Sequence, residues 1–115
     1  MNREQFIQHT SDEYGVEGEY LWPKYPLFCV LRHPSNRKWF AIVMDVPKNK
    51  LGLVGTEPLD VVNLKCASIL IGSLRKEPGI FPAYHMSKAN WISVALDGSV
   101  PDEQIKMLLY MSYDA

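Results

Sequence analysis

A chain of 115 residues, 47% of them hydrophobic, is long enough to bury the core of one domain and too short for two. Its 12 Lys+Arg nearly balance 13 Asp+Glu, which excludes both a uniformly basic nucleic-acid protein and an acidic disordered chain. Its apolar runs, such as Ile69-Leu70-Ile71, fall far short of the roughly 20 residues that cross a bilayer.

The first predicted element is a short helix ending near Tyr14, with Asn2 as its cap and Gln5 three residues on to complete a capping box. Gly15, Gly18, Pro23 and Pro26 then predict an irregular surface loop, rich in aromatic residues, because proline fixes φ and lacks an N–H. Two β-rich runs follow, Leu27 to Arg32 and Trp39 to Met44. The turn-forming, basic stretch His33-Pro34-Ser35-Asn36-Arg37-Lys38 between them predicts an antiparallel hairpin. Residues 47–58 read as a long connection, and Leu59 to Leu64 as a further strand.

Between Cys66 and Arg75, apolar Ala67, Leu70, Ile71 and Leu74 recur at helical spacing, predicting an amphipathic helix that buries most of its surface and stops at Pro78-Gly79. Trp91 to Leu96 alternates like a strand and runs into the turn Asp97-Gly98. Ser99 as cap, Pro101 and the acid Asp102 then announce a final helix carrying Ile105, Leu108 and Leu109. The order predicts one α+β domain over residues 1–115, a mainly antiparallel sheet with helices packed on one face.

Cys29 and Cys66 each lie among apolar neighbours and read as reduced core thiols. A secreted scaffold this small would carry more cysteines and a leader before Met1-Asn2-Arg3, so the chain is expected in the cytoplasm. His9, His33, His85 and the two cysteines form no Cys-x-x-Cys or His-x-x-x-His pair, and Asp12, Glu13, Glu17 and Glu19 are too sparse for a hard cation, so no metal site is assigned. Nucleophile elbow, phosphate loop, dinucleotide fingerprint and His-Glu-x-x-His are all missing. The expectation is a non-enzymatic protein with no cofactor.

Two constellations remain. His85 beside Tyr84 and Lys88 is either a pocket residue that titrates near neutrality or a hairpin histidine bonded to backbone. The aromatics Tyr20, Trp22, Tyr25, Trp39, Tyr84 and Trp91 can stack bases or enclose a small ligand. Trp39 and Trp91 fall within strands and read as packing residues, whereas Trp22 and Tyr25 read as exposed.

The segments from Pro82 to Trp91 and from Leu96 to Asp102, with Ser112-Tyr113, Lys38-Trp39-Phe40-Ala41 and Asn63-Leu64-Lys65-Cys66, resemble the MmcQ/YjbR family. The resemblance implies a bacterial cytoplasmic protein with a frataxin-like (CyaY-like) α+β sandwich. It also implies a DNA-binding role in which two protruding hairpins act as a "double wing". One departure stands out: Ser87-Lys88-Ala89-Asn90 replaces the family's usual Asn-Lys-x-His. Charge is distributed to suit the reading, with net +5 between residues 32 and 88 and −3 on each flank. A near-neutral chain can still bind duplex through one face.

Two functions are therefore expected of this sequence. The first is weak, sequence-independent binding of double-stranded DNA through Arg37, Lys38, Lys48, Lys50 and Lys88. The alternative is a small-ligand or protein-interaction module whose pocket uses Trp22, Tyr25, Tyr84, His85 and Lys88.

Overall fold

A computed structural model describes residues 1–115. The elements run α1 (Arg3–Tyr14), β1 (Cys29–Arg32), β2 (Trp39–Pro47), a 3₁₀ turn (Lys48–Leu51), β3 (Pro58–Lys65), α2 (Ser68–Leu74), β4 (Ile80–Pro82), β5 (Trp91–Ala95) and α3 (Asp102–Asp114). The five strands form one antiparallel sheet in the order β1-β2-β3-β5-β4. The expected α+β class, with an antiparallel sheet, is what the chain adopts.

Helix α1 starts as its residues dictate. Asn2 accepts from the Gln5 amide and Gln5 answers on the Asn2 amide, each at 2.9 Å, while Gly15 closes the other end at φ 65°, a left-handed conformation that glycine adopts without strain. The buried Arg3 guanidinium donates to the Leu27 carbonyl at 2.5 Å and to Asp60 at 3.2 Å, tying α1 to the aromatic loop and to β3.

Both faces of the sheet are buried, by different means. Phe6 of α1 and Ile105, Leu108 and Leu109 of α3 cover one face, against Leu31, Val43, Val62, Leu64, Ile92 and Val94. Over the opposite face, carrying Val30, Ile42, Met44, Val61 and Ala95, lies no α-helix, and only Leu51 of the 3₁₀ turn reaches it. It is covered by Trp22 and Phe28 of the loop before β1 and by Tyr84 and Met86 of the β4–β5 connection. Period-two alternation sorts the strand residues between the faces.

One bulge breaks that alternation usefully. Arg32 pairs with Trp39 and Leu31 with Ala41, so Phe40 is passed over. Trp39 therefore joins the loop-covered face with Ile42, while its neighbour Phe40 joins Ala41 on the helix face. The Phe40 carbonyl accepts the hydroxyl of the buried Ser112 of α3 at 2.5 Å, and the same hydroxyl oxygen accepts the Lys65 amide at 2.9 Å.

Three sequence expectations are corrected. Helix α2 is only seven residues long and buries Ile71 alone, leaving Ile69 87% exposed. Gly72 and the nearby Pro78 shorten it, so too little of an apolar face forms to be covered. Ser99 does not cap α3. Its hydroxyl and amide donate to Asp97 at 2.6 and 3.0 Å, holding the β5–α3 turn, and α3 begins after Pro101 with no side-chain cap. Trp22 is half-buried instead of exposed, because it packs edge-on against Trp39 and Phe28.

Candidate functional site

The loop-covered face contains a cavity of about 210 Å³ lined by Trp22, Tyr25, Phe28, Trp39, Ile42, Met44, Asn63, His85 and Met86. Its floor is the sheet: Ile42 and Met44 alternate along β2, and Asn63 occupies the matching position on β3. One wall is the loop before β1, where Tyr25 stacks on Phe28 at 4.8 Å between ring centres and Trp22 meets Trp39 perpendicularly at 5.8 Å. Edge-to-face and offset packing of this kind fixes aromatic rings beyond what area burial gives. Trp39 also carries the Arg32 guanidinium, 5.8 Å from its ring centre.

The opposite wall is the β4–β5 connection, held in place from beneath. Asn63 and Ser93 are fully buried polar residues on neighbouring strands, and the Ser93 hydroxyl donates to Asn63 Oδ1 at 2.5 Å. Asn63 Nδ2 donates to the Tyr84 carbonyl at 2.8 Å, and the Tyr84 amide donates to Ser93 Oγ at 3.0 Å. This closed exchange clamps Tyr84 by its backbone and presents His85 at the rim. His85 is exposed, sits 4.0 Å from the Tyr84 ring, and has φ 57°, a left-handed conformation that histidine tolerates better than most residues.

Of the residues expected to form a pocket, Trp22, Tyr25 and His85 line the cavity. Tyr84 packs into the cluster beside it without lining it, and Lys88 is exposed outside it. Tyr84 is withheld because its backbone bonds to Asn63 and Ser93 set the wall it belongs to, and Lys88 because it lies beyond Met86 where the connection leaves the cavity. Phe28, Trp39, Ile42, Met44, Asn63 and Met86 were missing from the expected set. Asn63 had a usable signal: a lone amide inside Val61-Val62-Asn63-Leu64 is the one polar residue in an otherwise apolar strand segment.

The five expected DNA-contacting cations are split. Lys38 and Lys88 lie at the sheet end where β2 and β5 begin, whereas Lys48 and Lys50 follow Pro47 at the other end of the nine-residue β2. At strand rise those two groups stand about 30 Å apart. Arg37, in the β1–β2 turn at φ 63°, pairs with Glu19 at 3.3 Å, a carboxylate that also holds Arg32 at 3.0 Å. Lys48 pairs with Glu57 at 3.3 Å, and backbone donors, first of them the Glu57 amide, hold the Glu57 carboxyl below its ordinary pKa with the help of that lysine.

Neither thiol is poised for chemistry. Cys29 and Cys66 are free and buried, and desolvation pushes both thiols above the ordinary cysteine range, away from the reactive thiolate. The arrangement is suited to enclosing a flat, mostly apolar molecule. His85 is the only titratable histidine or carboxylate on the cavity wall.

The family model described as YjbR matches residues 12–115. The chain belongs to the YjbR family. It is 40% identical over 113 residues to the Bacillus subtilis protein YyaQ, covering 98% of this chain and 96% of that one. It is 43% identical over 53 residues to Escherichia coli YjbR, a match that takes in 45% of each chain. A Pseudomonas syringae protein of known crystal structure superposes with a TM-score of 0.97 at 44% identity, over 99% of this chain and 97% of that one. The fold extends to Deinococcus radiodurans DR2400, at a TM-score of 0.73 and 24% identity, over 98% of this chain and 77% of that one. Within this YjbR chain the segments that carried the resemblance now have positions: Lys38-Trp39-Phe40-Ala41 holds the bulge, Asn63 the cavity floor, and Ser112 the bond to the bulge. No helix is long and apolar enough to cross a membrane.

Proposed function

We propose that this YjbR protein is a non-catalytic binding protein whose ligand is a small, flat, largely apolar molecule held in the aromatic cavity. The observation that carries the reading is the composition of that site: seven of its nine lining residues are hydrophobic, around a buried amide. A concave apolar surface with few polar groups is the usual form of a small-molecule site. Two free, buried thiols suit a reducing, cytoplasmic setting.

Naphthalene is the probe for a first test, read by quenching of the Trp22 and Trp39 fluorescence. Saturable quenching is expected, and Met86→Phe, which enlarges a half-buried side chain on the cavity wall without adding a tryptophan to the readout, weakens it severalfold. Absence of saturable quenching in the native protein, or equal binding by that variant, overturns the reading.

A second reading, duplex DNA binding by the hairpin ends as a double wing, has its own support. Lys38 and Lys88 flank the same end of the sheet, both exposed and neither engaged in an ion pair. Anisotropy of a labelled random duplex at about 50 and 200 mM salt tests it, since each lost phosphate contact lowers the salt slope by about 0.9. Lys38→Ala/Lys88→Ala lowers that slope by roughly two units if both lysines touch phosphate, and lack of binding at the lower salt refutes the role.

A further inference from the structure

Asn63 lies at the bottom of the cavity with its amide orientation fixed. Its Oδ1 accepts the Ser93 hydroxyl at 2.5 Å, so the nitrogen faces the other way, and one N–H goes to the Tyr84 carbonyl at 2.8 Å. The second N–H has only the Met44 sulfur, at 3.6 Å. A thioether is a weak acceptor, and a buried amide N–H is ordinarily given to oxygen, nitrogen or water. Met44 also lines the cavity, and its unbranched side chain turns about three bonds, so the sulfur is readily displaced.

We propose that Asn63 is the specificity-determining donor of this cavity, and that its ligand is a neutral heteroaromatic molecule of one or two rings whose ring nitrogen or carbonyl replaces the Met44 sulfur on that N–H. The inference rests on the cavity being the ligand site proposed above. Size fits, since a cavity of about 150 Å³ already accepts benzene and this one is about 210 Å³. Shape fits, since the walls are aromatic rings whose faces and edges favour flat partners. Charge excludes an anion: neither lysine nor arginine lines the cavity, and an unpaired charge there loses its hydration without compensation.

The test compares isoquinoline with naphthalene, two bicyclic probes of nearly equal shape that differ in one acceptor atom, under mildly alkaline conditions that keep the ring nitrogen neutral. Affinities are read by tryptophan quenching in the native protein, Asn63→Leu and Met44→Leu. The isoquinoline-to-naphthalene affinity ratio is expected to be about fivefold higher in the native protein than in Asn63→Leu, the worth of one buried hydrogen bond. Met44→Leu removes the competing sulfur and raises the ratio about twofold above native. An equal ratio in the native protein and Asn63→Leu overturns the proposal while leaving the cavity reading intact. Failure of isoquinoline alone overturns the proposal, and failure of both probes to bind the native protein removes the cavity reading as well. Should Asn63→Leu not fold, because it also frees the Tyr84 carbonyl, Met44→Leu decides alone, and an unchanged ratio there is the refuting result.

Discussion

Replacing Ser112 by alanine tests how the bulge is held. On an exposed helix face, serine to alanine gains a few tenths of a kcal/mol from helix propensity alone. Ser112 is instead 2% exposed, and its hydroxyl serves two strands, donating to the Phe40 carbonyl and accepting from the Lys65 amide. Both are backbone groups that the ladder does not satisfy there, since the β2–β3 pairing starts only at Ala41 and Leu64. Orphaning a buried polar group costs about 1–3 kcal/mol, and water reaches the Lys65 amide more easily because Lys65 is exposed, so we expect a loss of about 2–4 kcal/mol. For a chain of this length each kcal/mol lowers Tm by about 4 °C, which gives a fall of roughly 8–16 °C. Urea unfolding followed by far-UV circular dichroism measures the free energy, and tryptophan emission reports whether Trp39, one residue from the bulge, has moved into water. A variant as stable as the native protein, or slightly more so, would show that Ser112 does not hold the bulge.

Two further outcomes follow from neighbouring features. A methyl group added at Gly18 collides with the Cys29 sulfur, so Gly18→Ala destabilises the protein, and Gly18→Ala/Cys29→Ala is more stable than the sum of the single effects by about 1 kcal/mol or more; additive values in denaturant melts refute the collision. Partial burial works against the Asp97 charge, but the Ser99 hydroxyl and amide prevail and hold the carboxyl below its ordinary pKa. A depressed folded-state pKa contributes stability that is complete above the unfolded value, near pH 4, and lost as pH falls through the folded one. Asp97→Asn should therefore flatten the acid limb of a stability-against-pH curve below about pH 4, and an identical acid limb in both proteins would contradict the assignment.

The sequence carried its fold mainly in local signals. Asn2 with Gln5, the turn residues between Arg32 and Trp39, and the alternation after Trp91 all act within a few residues, and each marks an element that forms. Ser99 misled because a short hydroxyl suits both a helix cap and an Asx turn, and only the position of Asp97 settles which bond is made. Strand β4 was not located, being three residues long and defined by pairing with β5. Its end carries Pro82, a residue that disfavours strand at any interior position but is tolerated on this sheet edge. Half of the cavity was legible as an aromatic, proline-rich loop. The rest depends on which residues share a sheet face, and the bulge at Phe40 inverts that parity for Trp39, so no count along the chain would have put Trp39 beside Met44.

The loop that walls the cavity also guards the rim of the sheet. Glu19 exchanges two backbone bonds with Val30, at 2.9 and 2.8 Å, the one bridge across the outer side of β1. Trp22, Tyr25 and Phe28 follow on the same stretch of chain. Any swing of that loop wide enough to release Glu19 uncovers a row of unpaired amides and carbonyls, the template on which strands of separate molecules join. Aggregation under mild heating is therefore expected to begin where the Glu19–Val30 bridge opens, at β1.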